Sequence, residues 1–571
     1  ASRLTLESIP LDDPKTYEIF KNANTTAIFQ FESRGMRDLL KRAKPDRLED
    51  LIALNALYRP GPMDLIPDFT DRKHGRQRVE YLDPRMEPIL GETYGIMVYQ
   101  EQVMRIAQTV GGYSLGSADL LRRAMGKKKP EEMAKHRSTF VEGAAKNGVR
   151  ENVATELFDL MEKFAGYGFN KSHSAAYAVV ACQTAYLKAH YPAAFYAANL
   201  SAVMDDTDKV KDLVEDAKAN GIAVLAPDIN AGQWRFEPID VKTIRYGLGG
   251  IKGTGRGAID AIIAARDAGG PFTSLFDLCA RVDKHLVNRR VVEALVRAGA
   301  LDALDDDRAK LLASVGRALE QAERAAASRG QASLFGGPAD DTAPALHYVS
   351  VRRWSERERL ANEKLALGYY FSGHLFREYE AEARKLAPTR LADIKQARES
   401  VRLAGIIVSS RSQNTRRGRM GVIVLDDATA QVELMVFSEL YDRKRALLKE
   451  DELVFVNGRV RFDEFNQRLS ISADDVMDLT EARARAQAAL RIEVDGDQGR
   501  ATVSRLRSVL APYRVTNGEA AGGCRIVVSY TNGVGCADIP LSEDWRVRPD
   551  EALLADLKSQ LRVRGASFTY V

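Results

Sequence analysis

The residues best suited to bind a ligand are basic side chains gathered in one short segment. Residues 121–135 read LRRAMGKKKPEEMAK. Gly126 is predicted to end one helix and Pro130 to begin the next. The turn would then present five cations, namely Arg122, Arg123, Lys127, Lys128 and Lys129. Arginine pairs with two phosphate oxygens at once and lysine adds a compact charge, which suits a ligand with several phosphates. The alternative is a solvated charged turn in which Asp119 pairs with the arginines three and four residues further on.

A second candidate anion site lies in a glycine-rich turn before an apolar helix. Residues 166–174 read GYGFNKSHS, and the helix is predicted over 175–189 with a serine as its N-cap, Ser172 or Ser174. Free N–H groups at the start of a helix favour a negatively charged ligand. The candidate binding residues in this turn are Asn170, Lys171, Ser172 and His173. A purely structural histidine at a helix start is the alternative.

Two further segments carry residue types that contact phosphates. Residues 71–76 (DRKHGR) form a basic turn in which Lys73 and Arg76 either contact phosphate or face solvent. Residues 246–258 place a glycine-rich turn before a helix without a surrounding βαβ unit, which argues against a dinucleotide site. The turn resembles the helix-hairpin-helix motif, whose glycines let backbone N–H groups approach a DNA phosphate. Its residues are Lys252, Gly253, Thr254, Gly255 and Arg256, and residues 288–304 resemble a degenerate second copy.

Composition limits the classes of protein that fit. A chain of 571 residues should form several domains, and a net charge of +4 means that any nucleic-acid contact must come from local clusters. The four cysteines lack CxxC spacing, which argues against a disulfide framework and a structural zinc site and favours a reducing cytoplasm. We find neither a signal peptide nor a membrane-spanning segment in the sequence.

Helices are predicted to position the first two candidate sites. Residues 1–60 are expected to be mostly helical, with Met36, Leu39 and Leu40 on one buried face. Residues 94–110 are expected to pass from a strand-like start into an amphipathic helix. One further helix, which ends by Gly166, is predicted to bury a face made of Val153, Leu157, Leu160, Met161 and Phe164.

The second half of the chain changes from helices to a linker and then to strands. The linker contains QASLF, in which Gln331, Leu334 and Phe335 suit a short docking peptide, although the linker could also fold back on its own domain. Five alternating segments with a helix after the third then predict an OB-fold. Its candidate DNA contacts are Arg416, Arg417, Arg419, Phe462 and Phe465. Solvated arginines and core aromatics are the alternative for these five.

Several motifs together resemble one known family. They are FESRGMRDLL (31–40), LYRPGPM (57–63), DRKHGR (71–76), YGIMVYQEQVM (94–104), LRRAMGKKKPEEMAK (121–135), EKFAGYGFNKSHSAAYA (162–178), PDIN (227–230) and GLGGIKGTG (247–255). The chain thus resembles the C-terminal half of bacterial DNA polymerase III alpha subunits of the DnaE type. The resemblance implies a multidomain, mainly α fold with helical fingers, tandem helix-hairpin-helix motifs, an OB-fold β-barrel and a small α/β C-terminal domain.

The resemblance also implies domain boundaries. They are 1–225 for the fingers, 226–320 for the tandem helix-hairpin-helix region, 321–346 for a linker with a sliding-clamp-binding peptide, 347–400 for a connecting helical segment, 401–480 for the OB-fold and 481–571 for a domain that binds the clamp-loader tau subunit. In this scheme Arg122 and Arg123 face the triphosphate of the incoming dNTP with the three lysines in support. Ser172 and His173 would lie near its sugar.

The family's chemistry is DNA-directed DNA synthesis with Mg²⁺ held by aspartates of a palm domain. The resemblance places those aspartates upstream of this chain, so the chain has no catalytic residue of its own and should be inactive alone. The expected partners are primer-template DNA, single-stranded template, the sliding clamp (beta subunit), tau and, through the missing N-terminal part, the proofreading epsilon subunit. The PolC branch and error-prone DnaE relatives fit less well.

A non-catalytic scaffold is the competing hypothesis. Helix-hairpin-helix motifs, an OB-fold and a clamp peptide would suffice for a protein that only binds DNA. Such a scaffold has no need of the paired arginines at 122–123 or of the GYGFNKSH turn.

Overall fold

The computed structural model describes most of the chain, with short gaps. The described residues are 4–127, 130–164, 168–329, 347–415, 418–463, 468–495, 499–515, 523–532, 534–560 and 564–570. They form two compact units. The first contains Ala1–Arg353 and Asn362–Tyr369, and the second contains Trp354–Ala361 and Tyr370–Val571.

The first unit begins with a run of helices, as the sequence predicts. Their bounds are Pro14–Lys21 (α1), Arg34–Ala43 (α2), Leu48–Leu57 (α3), Ile66–Lys73 (α4), Glu87–Leu90 (α5), Gln100–Thr109 (α6), Leu115–Lys127 (α7), Pro130–Lys146 (α8), Glu151–Phe164 (α9), Lys171–His190 (α10), Pro192–Ala202 (α11) and Thr207–Ala219 (α12). The predicted face of α2 is correct, because Met36, Leu39 and Leu40 are all buried.

A buried cluster fixes α6 to α9 as one group. Its side chains include Ile106 of α6, Leu121 of α7, Phe140 of α8 and Phe158 of α9, each with no exposed surface. Such close packing holds the helices that carry the candidate residues in one arrangement. One predicted member of the α9 face is wrong, since 43% of Leu160 is exposed.

A small sheet and four further helices complete most of the first unit. The elements are Ala223–Leu225 (β1), Glu237–Pro238 (β2), Thr243–Arg245 (β3), Arg256–Gly269 (α13), Leu275–Arg281 (α14), Arg289–Ala298 (α15) and Arg308–Arg329 (α16). The strand order is β1-β3-β2, with β1 and β3 parallel. The predicted domain boundary after residue 225 falls between β1 and β3, which pair in one sheet.

The remaining elements lead into a closed barrel. They are Glu356–Leu367 (α17), Phe376–Leu386 (α18), Arg398–Thr415 (β4), Gly418–Asp426 (β5), Gln431–Val436 (β6), Ser438–Lys444 (α19), Leu453–Asp463 (β7) and Arg468–Met477 (β8). The barrel order is β4-β5-β6-β8-β7, and β4 pairs with β7 to close it. Alternate residues point inward and fill the barrel, including Leu403, Ile423, Leu434, Val456 and Val476. The predicted five-stranded barrel with a helix after the third strand is confirmed.

The last elements form the expected small α/β domain. They are Leu479–Arg485 (α20), Ala489–Asp495 (β9), Gly499–Leu510 (α21), Arg525–Thr531 (β10), Cys536–Pro540 (β11), Glu551–Gln560 (α22) and Gly565–Thr569 (β12). The sheet order is β11-β10-β9-β12, with β9 and β10 parallel. The sequence analysis missed β11 and β12, because both are short edge strands and β11 buries none of its residues.

Candidate nucleotide and nucleic-acid sites

The first residues of α6 join the two candidate anion-binding segments. Gln100 Oε1 accepts a hydrogen bond from Arg122 Nη1 at 3.2 Å, and Gln100 Nε2 donates to the Gly168 carbonyl at 3.0 Å. The Gln100 amide also donates to the Phe169 carbonyl at 2.9 Å, and the Phe169 amide donates to the Val98 carbonyl at 3.1 Å. The arginine segment and the glycine-rich turn therefore meet at one glutamine, although they are far apart in sequence.

The start of α10 is earlier than the sequence predicts. Asn170 is the N-cap, and its Oδ1 accepts from the His173 amide at 2.8 Å. Ser174, offered as a cap, is buried inside the helix and donates from Oγ to the Ile52 carbonyl at 2.7 Å. Ser172 lies exposed in the first helical turn, so neither serine is the cap. Asn170 can serve as the cap because its side-chain oxygen accepts a hydrogen bond from a free backbone N–H group in the first turn of the helix.

A carboxylate already occupies the end of α10 that suits an anion. Glu101 Oε2 accepts from the Lys171 amide at 3.0 Å, and Glu101 Oε1 accepts from Asn170 Nδ2 at 2.9 Å. The Lys171 ammonium group donates to both oxygens of Glu92 at 2.6 and 2.8 Å. A phosphate would therefore have to displace internal acids to reach these donors.

The arginine pair is also balanced by an internal acid. Asp119 lies 2.8 Å from Arg122 Nη2 and 2.9 Å from Arg123 Nε, which are the pairs three and four residues apart that the sequence suggested. The hydrogen bond from Arg122 lowers the pKa of Asp119. Arg123 nevertheless keeps 63% of its side chain exposed, so it remains accessible to a ligand.

The end of α7 differs by one residue from its prediction. The helix continues through Gly126 to Lys127, whereas Gly126 was expected to stop it. Glycine costs a helix about 1 kcal/mol relative to alanine, which the other residues of the helix can offset, so a glycine by itself does not end a helix. Lys128 and Lys129 lie outside the described residues, as does the side chain of Lys127.

Beside these residues lies a cleft with several aromatic rings. The cavity has a volume of about 560 Å³ and is lined by Phe29, Gln30, Glu32, Ser33, Met36, Asn55, Tyr58, Phe169, His173 and Tyr177. The His173 ring meets Phe169 at 5.5 Å and Tyr177 at 4.4 Å, both edge to face. Tyr177 in turn stacks on Phe29 at 5.0 Å. Exposed rings beside polar side chains suit a planar nucleobase.

Most residues of this cleft were not predicted from the sequence. Tyr177 follows His173 by four residues, which puts both on the same face of α10, and that spacing could have been read from the sequence. Phe29 and Asn55 come from segments far away along the chain, and no local pattern connects them with residue 173. The Arg59 guanidinium lies over the Phe169 ring at 4.5 Å and helps to orient that side of the cleft.

Lys73, predicted to contact DNA, is committed to a structural role. Its side chain is 6% exposed, and its ammonium group lies 2.8 Å from Asp46 and 2.7 Å from Asp50. The structure favours the structural role for this residue because α4 extends to Lys73 and turns it inward, and its predicted contact with DNA stays a prediction. Arg76 is exposed and lies 2.7 Å from Asp71.

In the predicted helix-hairpin-helix region, one turn precedes α13 and another precedes α15. The first turn has Gly253 at φ +86, a conformation that favours glycine, and Gly255 precedes α13. The second hairpin ends with Asn288 as the N-cap of α15, and its Oδ1 accepts from the Val291 amide at 3.2 Å. A Cβ built on Gly253 would lie 3.7 Å from Arg290 Nε, so the exposed Arg290 belongs beside the first hairpin. Arg290 was not among the DNA contacts predicted from the sequence.

On the barrel, an aromatic and an arginine are available to nucleic acid. Phe462 is 50% exposed, so the alternative that it belongs to the core is wrong. Arg419 donates from Nε and Nη2 to Ser412 Oγ at 3.1 and 2.9 Å. Arg416, Arg417 and Phe465 lie outside the described residues, as do Gln331, Leu334 and Phe335 of the docking peptide.

Three segments of the chain match known protein families. Residues 1–148 match the bacterial DNA polymerase III alpha subunit finger domain, residues 221–311 a helix-hairpin-helix motif and residues 401–479 an OB-fold nucleic acid binding domain. The DNA polymerase III subunit alpha of Neisseria meningitidis serogroup B (strain MC58) is 47% identical over 98% of this chain and 48% of its own length. The chain belongs to the bacterial DNA polymerase III alpha subunit family.

Other alpha subunits give the same result. The subunit of Vibrio cholerae is 47% identical over 97% of this chain and 49% of its own length. The subunit of Escherichia coli K12 is 46% identical over 97% of this chain and 49% of its own length. The chain thus spans about half the length of the alpha subunits that it matches. The finger-domain match covers Arg122, Arg123, Gln100 and Phe29, whereas the turn at 168–173 lies beyond it.

Within the described ranges, no group of three or more His, Cys, Asp or Glu side chains could hold a metal ion. Cys182, Cys279 and Cys524 are buried free thiols, and Cys536 is exposed. None of the helices in the described part of the chain combines the length and the apolar character needed to cross a bilayer.

Proposed function

We propose that this chain is the part of a bacterial replicative DNA polymerase that binds the incoming nucleotide, the primer-template duplex and the single-stranded template. The observation that carries the proposal is the junction at Gln100, which joins Arg122, inside the segment that matches a polymerase finger domain, to the turn at Gly168, which follows that segment. A protein that only binds DNA gains nothing from joining these segments beside an aromatic cleft.

The proposed nucleotide site combines a basic edge with the cleft. Arg122 and Arg123 would contact the triphosphate, with Lys127 to Lys129 in support, after exchanging Asp119 for phosphate oxygens. The nucleoside would lie toward His173 and Ser172, where the rings of Phe169 and Tyr177 offer edges and faces to a base or sugar. Asn170 and Lys171 would keep the turn in place through Glu101 and Glu92.

The proposed DNA contacts lie in separate modules. The hairpins with Lys252, Gly253, Thr254, Gly255, Arg256 and Arg290 would hold duplex phosphates without reading sequence. The barrel with Arg419 and Phe462 would bind single-stranded template by stacking and charge. Neither role requires a metal on this chain.

The proposed partners beyond DNA rest on the family alone. The peptide with Gln331, Leu334 and Phe335 would bind the sliding clamp, and the domain after residue 480 would bind the clamp-loader tau subunit. The proofreading epsilon subunit would bind a part of the polymerase outside this chain. Replacing Leu334 and Phe335 by alanine should abolish clamp binding and leave DNA affinity unchanged.

We propose that the carboxylates that hold Mg²⁺ come from outside this chain. Mg²⁺ would supply charge stabilisation for phosphoryl transfer and orient the reacting oxygens. The proposed roles of the residues in this chain are to bind and position the nucleotide and the DNA.

The direct test is primer extension with Mg²⁺ and dNTPs. This chain is compared with a polymerase that also contains the remaining half of its relatives. Extension by the longer protein only would support the division of labour proposed above. Extension by this chain alone would place catalytic carboxylates within it and overturn the proposal.

The arginine pair provides a sharper test in the longer polymerase. Arg122→Ala with Arg123→Ala should raise the dNTP KM and lower kcat by about tenfold or more, because two charge-assisted contacts to phosphate are lost. The matched control is Arg105→Ala with Arg150→Ala, which removes two exposed arginines elsewhere on α6 and before α9. Normal kinetics in the Arg122/Arg123 variant would refute the triphosphate role.

The scaffold alternative remains a distinct outcome. It predicts that dNTPs do not bind the longer protein, while duplex and single-stranded DNA still bind through the hairpins and the barrel. The nucleotide-binding measurement therefore separates the two functions.

A further inference from the structure

A second basic cleft lies in the first unit, between the end of α2 and the end of α4. Its volume is about 580 Å³, and its lining residues include Lys41, Arg42, Lys44, Asp71, His74 and Arg76. Four of these are Lys or Arg and one is an acid. None of the residues that line it is Phe, Tyr or Trp, which distinguishes it from the aromatic cleft around His173.

Three of the four Lys and Arg side chains in this cleft lack a close ion-pair partner among the described residues. Among the described residues, neither Arg42 nor Lys44 has an ion-pair partner within 4 Å, and both side chains are exposed. Lys41 has only a long contact of 3.8 Å to Asp38, one turn back on α2. Lone exposed pairs of this kind contribute little to stability. These three cations are therefore available to an anionic ligand.

The cleft is a defined shape and not a loose surface patch. The His74 ring lies 2.9 Å from the Arg42 carbonyl through Nε2, which ties the end of α4 to the end of α2. Lys44 ends α2 in the left-handed region at φ 44, and Gly75 turns the chain back at φ +70. Both walls are thus held by backbone geometry as well as by side chains.

One residue that lines the cleft carries a buried hydroxyl group. Thr70 lines the cleft and is only 5% exposed. Its Oγ1 is buried and has no hydrogen-bond partner among the described residues. An unsatisfied buried hydroxyl costs free energy, and a phosphate oxygen is an acceptor that would relieve it. Charge and hydrogen bonding therefore favour the same type of ligand.

We propose that this cleft binds the sugar-phosphate backbone of a nucleic-acid strand. The proposal deepens the proposed function, since it adds a strand contact that neither the hairpins nor the barrel provides. Open, exposed cations without aromatic rings suit contact with phosphates that does not read the bases. A free polyphosphate has the same chemistry, so pyrophosphate serves as the competing ligand in the acetylation experiment.

The first test measures the salt dependence of DNA binding by the whole chain. The variant Lys41→Gln/Arg42→Gln/Lys44→Gln is compared with Arg105→Gln/Lys146→Gln/Lys163→Gln, which removes the same charge from exposed positions elsewhere. Fluorescence anisotropy with a labelled primer-template gives the Kd across a range of NaCl concentrations. The cleft variant should bind about tenfold more weakly, and the slope of log K against log salt should fall by about 2 to 3. Equal weakening in the control would mean that only bulk charge matters and would overturn the proposal.

The second test detects the contact directly. Lysine acetylation followed by mass spectrometry is carried out with and without the primer-template. Lys41 and Lys44 should lose reactivity when DNA is bound, whereas the exposed Lys146 should stay reactive and the buried Lys73 should be unreactive in both states. Unchanged reactivity of Lys41 and Lys44 would overturn the proposal. Equal protection by micromolar pyrophosphate alone would assign the cleft to a free polyphosphate instead.

Failure of this inference can be told apart from failure of the proposed function. Lys252→Gln with Arg290→Gln should weaken duplex binding through the hairpins, whatever the cleft does. If that variant weakens binding and the cleft variant does not, only the cleft proposal fails. If neither variant changes the Kd, the proposed grip on duplex DNA fails as well. Thermal unfolding of each variant checks that the fold is retained.

Discussion

Individual basic side chains in this chain differ in whether an acid already holds them. Lys73 and Lys171 are paired with carboxylates, while Arg42 and Lys44 face an open cleft. The type of residue is the same in both groups, so only the local partners separate a structural cation from a ligand-binding one. Arg123 is intermediate, since it contacts Asp119 and remains largely exposed.

At the residue scale, Lys73 should matter for stability and not for DNA. Lys73→Ala leaves Asp50, which has no exposed side-chain surface, without its closest cation. The free energy of unfolding should therefore fall by about 3 kcal/mol. Denaturant unfolding at pH 7 measures this value. The control Arg76→Ala, on an exposed pair, should change stability by less than about 0.5 kcal/mol. A DNA affinity that falls with Lys73→Ala while stability holds would contradict this assignment.

The stabilising effect of Lys73 should depend on pH through the charge of its side chain. Burial opposes its charge, but hydrogen bonds to Asp46 and Asp50 outweigh burial and raise the Lys73 pKa above its ordinary value. A pKa raised on folding contributes stability that is fully present below the ordinary lysine value and is lost as pH rises through the folded value. The difference between the parent chain and Lys73→Ala should therefore be constant near neutrality and shrink only at strongly alkaline pH.

At the element scale, the start of α10 connects nucleotide binding to helix stability. Asn170 caps the helix through His173 N–H and also donates to Glu101, which lies at the start of α6. The same asparagine therefore holds α10 and α6 together beside Gln100 and the aromatic cleft. A change at this cap should disturb the cleft without touching any residue that lines it.

Asn170→Ala should lower the stability of the chain by about 1 kcal/mol through loss of the N-cap. In the longer polymerase it should also raise the dNTP KM, because His173 would no longer be held at the first helical turn. Asn170→Asp keeps the cap acceptor but places a second carboxylate beside Glu101, so it should recover only part of both effects. Ser172→Ala, at an exposed position without a capping role, is the control for stability. Equal stability of Asn170→Ala and the parent would show that the cap is dispensable.

At the scale of the whole molecule, the two units carry different nucleic-acid modules. The hairpins belong to the first unit and the barrel to the second. The hairpins offer backbone amides and cations to phosphates, whereas the barrel exposes Phe462 for stacking. The two modules should therefore respond to different forms of DNA.

Phe462→Ala should weaken binding of a single-stranded oligonucleotide by about fivefold or more, since one stacked base contributes about 1–3 kcal/mol. It should leave duplex binding nearly unchanged. Lys252→Gln with Arg290→Gln should weaken duplex binding and leave binding of the single-stranded oligonucleotide nearly unchanged. Anisotropy titrations with both oligonucleotides measure all four combinations. Phe437→Ala, another exposed aromatic at 53%, tests whether any exposed ring on the second unit has the same effect. Identical responses of the two modules to both DNA forms would refute the separation.

The sequence by itself determined the order and type of most elements. Helical periodicity identified the buried face of α2, and alternation with turn residues identified the barrel strands, because both signals arise from neighbours along the chain. It also paired Arg122 and Arg123 with Asp119, because spacings of three and four residues bring side chains together on any helix.

Only the tertiary structure decided which of these residues form sites. The bond between Gln100 and Arg122, the stack of Phe29 on Tyr177, and the position of Arg290 beside Gly253 join residues that no local pattern relates. The burial of Lys73 against Asp50 and the open position of Lys44 follow from how α2, α3 and α4 pack. A sequence motif fixes which chemical groups are present, whereas folding across long sequence separations fixes which acid neutralises each cation and which cations stay free for a ligand.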